Sequence, residues 1–120
     1  MDIDDQYRLW ESDADLLAEI GRTLFVQPTR VTVRLPGLLA ARALAAWQRD
    51  ESGDKLPDES VAQRMTRRRA GAVGLIGLAV ENTGLAVDGD VVISLDAWSI
   101  GDAFDAADEA GLLIGLFPPE

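Results

Sequence analysis

The apolar residues of this chain recur at two spacings, one typical of helices and the other typical of strands. Apolar residues three or four positions apart form one face of a helix, whereas residues two positions apart form one face of a strand. The helical spacing predicts four amphipathic helices, at about 13–25, 37–48, 60–82 and 97–110. The alternating spacing predicts three short strands, at about 30–35, 85–87 and 90–95.

The ends of three helices carry recognisable sequence signals. Ser12 is a suitable N-cap for the first helix, and Ser60 forms a capping box with Gln63 at the start of the third. Gly84 is expected to end the third helix and Gly111 the fourth, since glycine readily adopts the left-handed conformation that often follows a helix. These signals place helix boundaries that the apolar spacing alone leaves loose.

The order of the elements predicts one α+β domain over residues 1–120. We expect a small antiparallel sheet of two or three strands, covered on one face by about four helices. The Asp88-Gly89 pair predicts a tight hairpin between the second and third strands. Strand 30–35 has one apolar face, so we expect it to pair with strand 90–95 of the same chain. Its outward arginines would then face acidic residues elsewhere in the molecule.

Three glycines recur every third residue inside the third predicted helix: Gly71, Gly74 and Gly77. Each costs about 1 kcal/mol relative to alanine in a helix interior. Such a cost is offset when the missing side chain allows another backbone to approach closely. We expect the alanine-rich face of helix 37–48 to be that neighbour for all three.

Charge divides the single domain into three parts. These are an acidic N-terminal helix (1–27), a basic strand-helix-helix centre (28–84), and an acidic strand-helix with an apolar tail (85–120). The net charge of −10 consists of −6 over residues 1–21, +5 over 22–80 and −9 over 81–120. The simplest interpretation is that the acidic flanks fold over the middle and neutralise it. The alternative is that the middle binds nucleic acid or an acidic partner while the flanks limit nonspecific binding.

The composition argues against several kinds of chemistry. The chain has no histidine and no cysteine, so it lacks the commonest general base, the commonest metal ligand and any thiolate nucleophile. Asp102, Asp105 and Glu109 share one face of a predicted helix opposite its apolar stripe, a pattern typical of solvated surface. We therefore predict a non-catalytic protein that holds no cofactor and no metal.

The chain shows no sequence pattern of a membrane protein. Its longest uncharged apolar run, residues 70–80, has eleven residues, about half of what a membrane-spanning helix needs. The N-terminal residues are acidic and lack the layout of a signal peptide. The abundance of Ala, Arg, Asp and Gly with little Lys is typical of GC-rich bacterial genomes. We expect a cytoplasmic bacterial protein that does not contact membranes.

The stretch TRVTVRLPGLLAARALAAW at 29–47 combines an alternating strand, a proline and an alanine-rich helix. It resembles the opening of ribbon-helix-helix DNA-binding proteins, in which two subunits pair their strands into a ribbon that enters the major groove. The resemblance implies that Arg30, Thr32 and Arg34 read base edges and that a phosphate is held near Ser60. It also implies an obligate dimer that acts as a transcriptional regulator or antitoxin.

Three consecutive arginines, Arg67 to Arg69, concentrate positive charge on the third helix. Arg67 and Arg68 are candidate phosphate contacts if the protein binds DNA. Three consecutive helical positions spread over about 200° of the helix surface, so the three side chains cannot all face one ligand. We expect one of them to lie near the core boundary, paired with an acid from a flank.

Two functions are favoured by these observations, ahead of a third, a metal-dependent enzyme that would use the acidic face of the fourth helix. The first is a non-catalytic interaction or regulatory protein that binds another macromolecule, with a basic protein as the expected partner because this chain is acidic. The second is a DNA-binding regulator, which the net charge of −10 disfavours. The apolar tail docks either on its own core or on a partner, which could be a second copy of the chain. Its candidate contact residues are Leu112, Leu113, Ile114, Leu116 and Phe117.

Overall fold

Four helices and three strands make up the part of the chain that the structure describes. The structure is a computed structural model, and it describes residues 3–27, 32–49 and 60–116. The elements are α1 (Ile3–Phe25), β1 (Thr32–Pro36), α2 (Gly37–Gln48), α3 (Val61–Thr83), β2 (Leu85–Val87), β3 (Asp90–Ser94) and α4 (Ala97–Glu109). The predicted α+β class with a small antiparallel sheet is confirmed, and α2 has the predicted bounds.

The three strands form one antiparallel sheet in the order β1-β3-β2. β1 pairs with β3 of the same chain, with Thr32 opposite Ser94 and Leu35 opposite Val91, so the predicted pairing within one molecule is confirmed. The hairpin between β2 and β3 turns at Asp88 (φ 50°) and Gly89 (φ 85°). Positive φ at both positions matches the tight turn whose twist suits a two-residue hairpin, as the sequence predicted.

The outer edge of β1 is covered at its centre by a side chain from the end of α1. Gln27 Nε2 donates to the Arg34 carbonyl oxygen at 2.6 Å, and the Arg34 backbone N–H donates to Gln27 Oε1 at 2.8 Å. The amide group thus takes the place that a neighbouring strand would occupy. Exposed edges invite pairing with other chains, and here both backbone groups of Arg34 are already bonded.

Helix α1 begins ten residues before the predicted start, so the prediction of Ser12 as its N-cap is wrong. Ser12 is an exposed residue in the middle of the helix. Trp10 and Asp13 are buried, at 1% and 4% exposure, and continue the inward face of Leu17 at helical spacing. The early turns are therefore stabilised by burying Trp10, a tertiary contact that capping rules do not detect.

The other predicted helix ends hold with one correction. The Gln63 N–H donates to Ser60 Oγ at 3.1 Å and the Ser60 N–H donates to Gln63 Oε1 at 2.8 Å, which confirms the capping box. Gly111 has φ 75°, and the Leu112 N–H donates to the Ala107 carbonyl oxygen, as expected of a glycine-ended helix. Gly84 ends α3 at the predicted position as its C-cap, but its φ of −65° is not the left-handed conformation expected there.

One apolar core joins the inner face of the sheet to all four helices. Val33, Leu35 and Ile93 point into this core, whereas the alternate residues Thr32 and Arg34 lie on the exposed face. The helices thus cover one face of the sheet, as predicted. No helix among the described residues is long and apolar enough to cross a membrane.

Only one of the three regularly spaced glycines of α3 packs as predicted. A Cβ on Gly77 would lie 2.1 Å from the Ala43 carbonyl oxygen, so glycine is needed where α3 meets α2. A Cβ on Gly71 or Gly74 would have nothing within 4 Å, so the packing predicted for these two is wrong. A second close approach, which the sequence analysis missed, brings Gly21 of α1 against the Ala103 carbonyl oxygen of α4.

Candidate functional site

Arg34, the central candidate for DNA reading, lies across the exposed face of the sheet. Its Nε donates to Asp90 Oδ2 at 2.6 Å, and its Nη2 donates to the Val87 carbonyl oxygen at 3.1 Å. The side chain therefore links β1 to both β3 and β2, and it faces an acid as the sequence predicted. Thr32 is exposed at the start of β1, and Arg30 lies outside the described residues.

The arginines of α3 have different environments. Arg69 forms an ion pair with Glu109 of α4 and is mostly buried, which confirms that one of the three lies near the core boundary opposite a flank acid. Arg67 is half-buried, whereas Arg68 is exposed. Of these two candidate phosphate contacts, Arg68 is therefore the more accessible.

Three ion pairs between described residues connect the acidic flanks to the basic middle. Asp13 from the N-terminal flank pairs with Arg49, while Asp90 and Glu109 from the C-terminal flank pair with Arg34 and Arg69 respectively. This arrangement supports the interpretation that the flanks fold over the middle of the chain and neutralise part of its charge.

The pair between Asp13 and Arg49 fixes α1 against the end of α2. Arg49 Nη2 donates to both carboxylate oxygens of Asp13, at 2.7 and 2.6 Å. Burial raises the pKa of Asp13, while the hydrogen bond and charge of Arg49 act in the opposite direction. A buried carboxyl can either stabilise the fold or bind a proton. The contacts of Asp13 with Arg49 are those of a residue that stabilises the fold.

The apolar tail docks partly on its own core. Leu112 packs against the main apolar cluster, and Leu113 and Leu116 are half-buried. Ile114 remains 86% exposed, and Phe117 lies outside the described residues. Docking of the tail on its own domain is therefore confirmed at Leu112, whereas Ile114 is exposed.

Helices α3 and α4 run antiparallel and enclose an open cleft. The Ser94 N–H, just before α4, donates to Thr83 Oγ1 at the end of α3, whereas Arg69 near the start of α3 pairs with Glu109 at the end of α4. The cleft has a volume of about 210 Å³. The residues that line it are Met65, Arg68, Arg69 and Ala72 from α3, with Asp102 and Asp105 from α4.

The cleft has two charged walls, and Met65 and Ala72 are its apolar lining residues. Arg68 lies on the α3 side, and Asp102 and Asp105 lie on the α4 side. Within the described part of the chain these three charged residues form no ion pair, with each other or with any neighbour. Their charge is therefore available to a binding partner.

Trp98 is the most exposed of the three tryptophans and continues the acidic wall. Its side chain is 85% exposed in the first turn of α4. Asp102 and Asp105, four and seven residues further on, lie on the same face of the helix. Trp98 was not predicted as a site residue from the sequence. Its position nevertheless indicates exposure, because it falls on the acidic side of the helix, away from the buried Ile100 and Ala103.

Comparisons with known proteins add nothing to the geometry: no family model matches the chain, and no curated protein or solved structure is significantly similar to it. Among the described residues, no three acidic side chains come close enough together to hold a metal ion. The candidate site that rests on the most observations is therefore the face of α4 that carries Trp98, Asp102 and Asp105, together with the adjoining cleft. We call this surface the α4 face.

Proposed function

We propose that this chain is a small, non-catalytic interaction protein that binds a basic protein through the α4 face. A binding role is favoured over catalysis because the chain has no histidine and no cysteine with which to activate a nucleophile or transfer protons. The chain regulates its partner by covering the partner's basic surface. This role requires only complementary shape and charge.

The exposure of Trp98 beside unpaired carboxylates is the observation that carries this proposal. Tryptophan is enriched among the residues that dominate protein–protein binding energy, because it buries a large rigid surface with few degrees of freedom to lose. The carboxylates of Asp102 and Asp105 supply a negative field that steers a basic partner towards the indole. The net charge of −10 adds long-range attraction of the same sign.

A protein partner is favoured over DNA for three reasons. The outward guanidinium of Arg34 is bonded to Asp90 and Val87. The edge of β1 that a second subunit's strand would need is bonded to Gln27 at its centre. The net charge of −10 would repel a phosphate backbone.

The test uses a short poly-lysine peptide as a model basic partner, with tryptophan fluorescence as the readout. We expect salt-dependent binding that changes the emission of Trp98 and weakens by about tenfold in the Asp102→Asn/Asp105→Asn variant, which corresponds to about 1.4 kcal/mol. The matched control is Glu11→Gln/Asp15→Asn, which removes the same charge from the exposed face of α1. Equal weakening in both variants would show that net charge alone acts, and the proposal would be wrong.

A further inference from the structure

We infer that the partner of the α4 face is an amphipathic helix that carries arginines. This helix docks in the cleft between α3 and α4, here also called the groove, and stacks an arginine on Trp98. This inference rests on the proposed function, since it names the partner of the same surface. Four features support it: the shape of the groove, its apolar contacts, the placement of its charges and the spacing of Trp98 and Asp102.

The shape of the groove favours a helix over an extended segment. Its two walls are the antiparallel helices α3 and α4, whose own backbone groups are bonded within each helix. An extended peptide laid between them would find no backbone partners, whereas a helix satisfies its own backbone hydrogen bonds. Ala72, which lines the groove, has a small side chain that allows an incoming helix to approach closely.

Apolar contacts are available along the groove at both of its ends. Met65 is 40% exposed and lines the groove together with Arg68. Trp98 lies one turn before Asp102, towards the end of the groove where α4 begins. A partner helix that places apolar residues at helical spacing would cover both side chains with one face.

The charges of the groove determine which side of the partner helix is basic. Asp102 and Asp105 line the α4 side, and Arg68 lines the α3 side. Cations on the partner must therefore face α4, and a carboxylate on its opposite flank would face Arg68. Because the two walls differ in sign, only one rotation of a docked helix about its axis pairs all of these charges.

The spacing of Trp98 and Asp102 favours arginine over lysine at the point of contact. Residues four apart on a helix lie side by side, so an indole and a carboxylate face the same ligand. A guanidinium stacks on an aromatic ring through its flat face and donates to a carboxylate through its edge at the same time. A lysine ammonium has no such flat face.

The experiment compares three labelled peptides of about 18 residues, or five helical turns, by fluorescence anisotropy. The first is an amphipathic Leu/Ala/Arg helix. The second has the same composition in a scrambled order without helical periodicity, and the third replaces every arginine of the first with lysine. We expect the first to bind about tenfold more tightly than the second and several-fold more tightly than the third, and to gain helicity on binding.

Protein variants locate the contact. Trp98→Ser should remove most of the preference for the first peptide while leaving the unfolding midpoint unchanged, because the indole is 85% exposed. Asp102→Asn should weaken the arginine peptide more than the lysine peptide. The matched control, Asp15→Asn on α1, should leave both preferences unchanged.

The outcomes separate this inference from the function on which it rests. If the amphipathic and scrambled peptides bind equally well, with the same dependence on Asp102 and Asp105, the basic-partner function stands and the helix inference is wrong. If neither peptide binds, both are wrong. A concentration-dependent dimer that Trp98→Ser abolishes would identify a second copy as the occupant and overturn the inference in favour of self-association.

Discussion

The two halves of α3 differ in what lies against them. In the C-terminal half, Gly77 meets the Ala43 carbonyl oxygen, and Trp47 Nε1 donates to Glu81 Oε2 at 2.6 Å, so α2 is held against the helix. In the N-terminal half, Gly71 has no atom near the position of a Cβ, and Met65 and Arg68 border the open cleft. One continuous helix thus serves the core at one end and the candidate binding surface at the other.

This difference shows that the same residue type can have opposite roles along one helix. Gly77 is needed because a neighbouring backbone occupies the space of a side chain. Gly71 has open space around it and carries only the conformational cost of glycine in a helix. Substitution by alanine therefore distinguishes the two halves directly.

The largest expected effect is that of Gly77→Ala, which breaks the packed half. The new Cβ would fall 2.1 Å from the Ala43 carbonyl oxygen, so α2 and α3 must move apart. We expect a loss of about 3 kcal/mol in the free energy of unfolding, measured by urea denaturation. An unchanged midpoint would mean that α2 and α3 do not approach each other this closely in solution.

The next effect is that of Arg49→Met, which releases the end of α2 from α1. The variant leaves the Asp13 carboxylate buried without this cation, and we expect a loss of about 2 kcal/mol at neutral pH. Burial already raises the pKa of Asp13 above its ordinary value of 3.8. Because the folded-state pKa is raised, the protonated form of Asp13 stabilises the fold relative to its ionised form. This stabilisation is fully present below pH 3.8 and is lost as pH rises through the folded-state pKa.

The pH dependence of the same variant provides its own check. Without Arg49 the pKa of Asp13 should rise further, so acidification should relieve the defect by protonating the carboxyl. The stability difference from the native chain should shrink as pH falls from 7 towards the ordinary value of 3.8. Arg49→Lys, which keeps the charge, is the control and should lose less. A difference that stays constant with pH would contradict this account.

The smallest effect is that of Gly71→Ala, and its sign is opposite. Nothing lies within 4 Å of the new Cβ, so the substitution removes only the cost of glycine in a helix. We expect stability to increase by about 0.5–1 kcal/mol, measured by the same urea denaturation. A loss of stability here would show that another part of the chain covers Gly71.

Much of the fold could be predicted because its signals are local. The Asp88-Gly89 turn, the capping box of Ser60 and Gln63, and the glycine ending at Gly111 were each placed correctly from neighbouring residues. The pairing of β1 with β3 was also predicted, since it buries the apolar face of the strand under helices of the same chain and leaves Arg34 outside. The start of α1 was missed because the burial of Trp10 depends on distant elements.

Less of the candidate site could be predicted. The acidic face that includes Asp102 and Asp105 was predicted from the sequence, but as solvated surface. That Arg68 lies across a cleft from these acids could not be predicted, because it depends on the antiparallel packing of α3 and α4. The exposure of Trp98 could have been predicted, because its position falls on the side of α4 away from the buried Ile100 and Ala103.

The sequence by itself determined where the strands, the hairpin turn and most of each helix lie, and how charge is distributed along the chain. Those properties depend on residues close together in sequence, whose spacing and backbone preferences act locally. Only the tertiary structure decided which glycine is packed, which acids are neutralised by arginines and which remain available for binding. Those properties depend on which side chains from distant elements come to lie opposite one another, and no local rule contains that information.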